Sequence, residues 1–237
     1  MCKHYTIVLW MRDYDETLNN QIGRIFSSLK EMATLKYLTP KYLKACSKNK
    51  AEEFELSKEN IRKLIDQNRV DNKREQLGSM FGFFTSMDDD TMCGISFSTG
   101  IRTEKFVNTL VINISNQDYE DTHNAEEINN LFTKLVDINR PFYAYLSEDE
   151  NASMYEQYMK SIDEAPDAVL WVNYFGEAIA TKLNISEKMA DTNIEELCEI
   201  RELNDGYYIR LQESPINNLC EEQLSNQKKI NSILGLD

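Results

Sequence analysis

Histidine is nearly missing from this chain: His4 and His123 are the only two in 237 residues. They stand far apart, with no H-E-x-x-H spacing and no cysteine neighbour, so a histidine-built metal centre or general-base pair has no material. The five cysteines, Cys2, Cys46, Cys93, Cys198 and Cys220, are odd in number, scattered and free of any C-x-x-C pair. That argues against a disulfide framework or zinc knuckle and predicts reduced thiols in a cytoplasmic protein. Glycine and proline, at 8 and 4, are too few for long disordered or collagen-like stretches. No run approaches the ~18 apolar residues of a membrane span. The apolar run Tyr5–Trp10 is too short for a signal segment, meets Asp13, Asp15 and Glu16 at once, and reads as a first strand. Gly-rich phosphate loops and the G-x-S-x-G elbow are absent. Ser27-x-x-Lys30 matches a nucleophile spacing but falls inside a predicted helix, and Pro166-Asp167 opens a nuclease-like pattern that no acidic-x-Lys strand completes. The sequence therefore predicts a protein that is not an enzyme and holds no cofactor and no metal.

Basic charge is short as well. Against 26 Lys and Arg stand 40 Asp and Glu, a net charge of -14. The imbalance is local: residues 1–75 carry 15 basic and 11 acidic side chains, the remainder 11 and 29, or net -18. Such a surface repels phosphate, which disfavours direct nucleic-acid or anionic-lipid binding and suits a basic protein partner.

What the chain does have is material for a core, with 41% hydrophobic and 10% aromatic residues. Its length fits one domain, read here as a single α+β unit over 1–237, divisible into halves 1–115 and 116–237 that each hold helices and a hairpin but share no residue-level repeat. Helical spacing predicts helices over about 15–33, after Ser57, after an Asn124 cap and over about 218–234. Strands are predicted at 78–87 and 91–99 around the turn Asp88-Asp89-Asp90, then at 106–114, 142–146 and 168–175, with a further hairpin around Asn204-Asp205-Gly206. Helices and strands mix without βαβ alternation, which predicts a mixed or antiparallel sheet with packed helices. The dense run Trp171-Val172-Asn173-Tyr174-Phe175 reads as a buried strand with polar Asn173 facing the other way, with partner contact through its Trp and Tyr as the second reading.

Three acidic clusters are the candidate partner-binding residues: Asp88, Asp89 and Asp90; Asp118, Glu120 and Asp121; and Glu148, Asp149 and Glu150. Asp88-Asp89-Asp90 lacks the spaced D-x-D-x-D-G of a calcium loop. Solvated loops are their plainer reading.

The stretch Tyr37-Leu-Thr-Pro-Lys-Tyr-Leu-Lys-Ala-Cys-Ser-Lys-Asn-Lys-Ala51, followed by Ser57-Lys-Glu-Asn60, the hairpin Gly78 to Gly100 and later Trp171-Val-Asn-Tyr-Phe-Gly176, resembles the immunity protein 52 family of bacterial polymorphic toxin systems. The resemblance implies an α+β immunity protein that neutralises a cognate protein toxin, often a nuclease, by binding it, and it carries over no catalytic residues. Two other readings stay open: a phage-encoded or defence-related inhibitor mimicking nucleic acid with its carboxylates, and a hydrolase built on paired carboxylates.

Overall fold

The first strand, β1 (His4–Met11), sets Tyr5, Ile7, Leu9 and Met11 on one face and Thr6, Val8 and Trp10 on the other, and both rows are buried. A strand buried on both faces belongs inside a sheet that is covered on both sides. In the computed structural model, which describes residues 3–12, 16–44, 51–68, 77–103, 106–115, 117, 119, 121–155 and 164–236 (77 and 191 as backbone only), β1 is the middle strand. The others are β2 (Tyr42–Leu43), β3 (Leu77–Phe84), β4 (Gly94–Ile101), β5 (Asn108–Ser115), β6 (Tyr143–Glu148), β7 (Val172–Phe175), β8 (Glu199–Leu203) and β9 (Gly206–Arg210). They form one nine-stranded sheet in the order β2-β3-β4-β5-β1-β6-β7-β9-β8, antiparallel throughout. The fold is thus α+β as expected, and β1 joins strands from both parts of the chain.

Three helices lie on the face that carries Tyr5, Ile7 and Leu9. They are α1 (Leu18–Met32), α2 (Lys58–Gln67) and α3 (Thr122–Asn139). Strand hydrogen bonds fix each of them: Gln21 to Thr99 at 2.7 Å, Ser79 to the Ile65 carbonyl at 2.7 Å, and Tyr208 to Asn129 at 2.7 Å. In α1 the stripe Ile22, Ile25, Leu29 and Met32 is buried, and each such side chain contributes about 1.5–3 kcal/mol on leaving water. The caps are local chemistry. Thr17 and Ser57 accept from the backbone amides of Asn20 and Asn60, so α1 starts at Leu18, behind its Thr17 cap, and not near residue 15. The α3 cap is Asp121, not Asn124, because the Asp121 carboxylate reaches the His123 amide at 2.8 Å.

The second face carries α4 (Asp149–Ser153) over β1 and β6 and α5 (Glu177–Lys182) over β7 and β9, with α6 (Ile185–Asp191) packed on α5 and α7 (Glu221–Leu234) on α6. From α7, Gln227 and Asn231 bond the backbone of Val169 at 2.8 Å each. Over β4 and β5 the same face is partly or fully open at Ser96, Ser98, Thr109, Val111 and Asn113. Asn173 does face opposite to Val172 and Tyr174, yet it is fully buried. Its amide donates to the Leu170 carbonyl at 2.7 Å and its oxygen accepts from the Leu170 amide at 3.0 Å, which makes a buried polar group a turn-closing one.

Candidate protein-binding end of the sheet

The acidic clusters come together through strand direction. The Asp88 turn joins the end of β3 to the start of β4, and Gly94 at that start pairs with Asn113 near the end of β5. Ser115, the last residue of β5, pairs with His4, and Tyr5 pairs with Glu148 at the end of β6. All three segments therefore leave the sheet at one end. Adjacent strands sit ~4.8 Å apart, so β4 and β6, three steps apart, are separated by roughly 15 Å.

The groups have different local settings. Asp88, Asp89 and Asp90 are exposed on the turn, where the Asp88 carboxylate accepts from the Asp90 amide at 3.1 Å and the Ser86 hydroxyl accepts from the Asp88 amide at 3.1 Å. Asp121 is exposed and caps α3. Asp118 and Glu120 lie outside the described residues. The third cluster is not a loop: Glu148 ends β6, and Asp149 and Glu150 form the first turn of α4. A helix N-terminus favours that charge. Asp149 also accepts from the Thr6 hydroxyl, which ties the cluster to the central strand.

Sequence reasoning missed the apolar side chains that share this end. Met87, beside the Asp88 turn, is 42% exposed, Met154 after α4 is 56% exposed and Leu219 is 93% exposed. Asn151 of α4 donates to Asn218 at 2.9 Å, so the turn bearing Leu219 stands against the helix bearing Asp149 and Glu150. Methionine or leucine beside acidic residues carries no signal of exposure in the sequence; only the packing shows it. Large exposed apolar groups rimmed by charge are the usual make-up of a protein-binding patch.

Burial raises the hydroxyls of Tyr37, Tyr119, Tyr143 and Tyr208 and the thiols of Cys93 and Cys198, the last to about 12. Groups shifted this way are held neutral and unreactive. A cavity of about 280 Å³ between α5, α6 and the β8–β9 turn gathers Glu177, Glu187, Asp205 and Tyr207, without either histidine. Ser27 and Lys30 both lie exposed on α1. Among the described residues no cluster of His, Cys, Asp and Glu is placed to hold a metal ion, and no helix is long and apolar enough to cross a membrane.

No protein-family model and no curated protein matches the chain in sequence. Among solved structures it is similar to the Pseudomonas aeruginosa T6SS protein PA0821, with a TM-score of 0.68 over 100% of this chain and 73% of that one. At 9% identity that likeness is one of fold.

Proposed function

We propose that this chain is an immunity-type protein that neutralises a cognate bacterial toxin by binding it, with no catalytic turnover of its own. The observation that carries the reading is the gathering of the Asp88, Asp121 and Glu148 segments with Met87, Met154 and Leu219 at one end of the sheet. Carboxylates steer a basic partner, and the apolar groups supply the surface that water leaves on contact. A toxin that grips phosphate presents such a basic surface. The fold shared with a protein named for the T6SS and the resemblance to immunity protein 52 both fit a toxin-system setting.

Co-expression tests this. Cells expressing the C-terminal toxin domain encoded beside this chain should survive when the chain is present, and the two purified proteins should elute as one complex. Survival with no complex between the purified proteins would instead point to an enzymatic or indirect route and overturn the binding reading.

A further inference from the structure

A nine-stranded open sheet has two outer edges, and this one treats them differently. At β2 the edge is closed: Leu43 donates to the Glu52 carbonyl at 2.8 Å and Phe54 to the Lys41 carbonyl at 2.7 Å, with Tyr42 bridged to Glu53. At β8 no described residue pairs with the outside. Its bonding pattern follows from its neighbours. Leu211 donates to the Trp171 carbonyl at 2.9 Å, so the odd-numbered residues of β9 bond towards β7 and its even-numbered ones towards β8. Glu199, Arg201 and Leu203, registered with Arg210, Tyr208 and Gly206, thus bond inwards. Ile200 and Glu202 direct their backbone N–H and C=O groups outwards.

An open strand edge is a template for a further strand. The side chains around it set which one. Glu195, Glu196, Glu199 and Glu202 are exposed along this margin. Arg201, the cation of β8, is engaged by the Tyr208 ring at 4.2 Å and by Glu199 at 3.3 Å. A second copy of β8 would bring its own Glu199 and Glu202 to an edge already rich in carboxylates, and like charges across a strand pair are unfavourable. We infer that β8 receives an extended, lysine- or arginine-rich segment of a partner protein, added to the sheet as a tenth strand. This rests on the protein-binding reading above and specifies the partner's chemistry at a second surface.

The probe is a seven-residue peptide of alternating lysine and valine, with a glutamate–valine peptide as control. Hydrogen exchange on the unmodified protein should slow by about ten-fold at the Ile200 and Glu202 amides on adding the lysine peptide, and by far less at Arg201, whose amide is already paired. Ile200→Pro removes an outward N–H without breaking a ladder bond and should weaken peptide binding by about ten-fold. Glu199→Gln with Glu202→Gln should weaken it by about three-fold or more. Equal binding of both peptides, or protection spread away from Ile200 and Glu202, overturns the inference. So does self-association of the chain that Ile200→Pro abolishes, because the edge then belongs to a second copy. A toxin complex untouched by Ile200→Pro but broken by charge removal at the Asp88 end would defeat the edge inference alone and leave the proposed function standing.

Discussion

Tyr119 is almost fully buried, and its hydroxyl meets that of Tyr37 at 3.0 Å. Burial is the main cause that pushes Tyr37 up to about 12 from its ordinary 10.0, with the Tyr119 hydrogen bond partly opposing it. Below pH 10.0 the hydroxyl is neutral in folded and unfolded chains alike. Above that the unfolded chain gives up the proton while the folded one keeps it until about 12. The unfolded state then binds fewer protons, so stability falls as pH rises through that window. Melting temperatures taken from neutral pH upward should show this decline, and it should be shallower in Tyr37→Phe. The same variant leaves the buried Tyr119 hydroxyl without its partner and should cost about 1–3 kcal/mol at neutral pH, read by urea unfolding. A variant as stable as the parent at every pH would show that the pair is not closed in solution.

At the scale of elements, legibility followed the strength of the periodic signal. The α1, α2 and α3 helices and the β3–β4 hairpin were readable because their apolar residues repeat with one period over several turns or pleats. The α5 and α6 helices were not, since six and seven residues are too few for a 3.6-residue period to declare itself. The α3 cap lies three residues before the one the sequence suggests, because Asn124 and Asp121 are equally good capping types and only the path of the incoming chain decides between them. That choice affects the candidate site. Asp121 holds the α3 N-terminus and also adds charge to the acidic end, and two substitutions separate these roles. Asp121→Asn should keep the cap and the stability while lowering partner on-rate, whereas Asp121→Ala should lose about 0.5–2 kcal/mol as well. If Asp121→Asn bound the proposed partner at the parent rate, Asp121 would be a structural residue only.

At the scale of the whole molecule, the acidic clusters were legible as composition but not as a surface. Their neighbourhood depends on β1, from the start of the chain, slotting between β5 and β6, a long-range pairing with no local signature. It depends also on the direction in which each strand runs. Once both are known, segments from distant parts of the sequence become one charged end, and a physical consequence follows. Clustered carboxylates act on an approaching basic partner over a range set by the Debye length, ~30 Å at 0.01 M salt and ~10 Å at 0.1 M. Association with the proposed basic partner should therefore slow steeply as salt is added, while dissociation, which the apolar contacts proposed for Met87, Met154 and Leu219 would govern, should change little. Asn and Gln replacements test this by removing the charge while keeping the size of each side chain. Asp88→Asn retains the acceptor for the Asp90 amide, and Asp149→Asn retains the acceptor for Thr6. Converting Asp88, Asp89 and Asp90 together, and in a second variant Glu148, Asp149 and Glu150, removes three charges each, with exposed charges typically worth under about 1 kcal/mol apiece. Measured by stopped flow at low and high salt, at least one triple variant should lose most of the salt dependence of its on-rate while its circular dichroism matches the parent. Two variants with parental, salt-sensitive rates would move the interface away from this end of the sheet. Rates indifferent to salt in the parent itself would reduce the acidity to a matter of solubility.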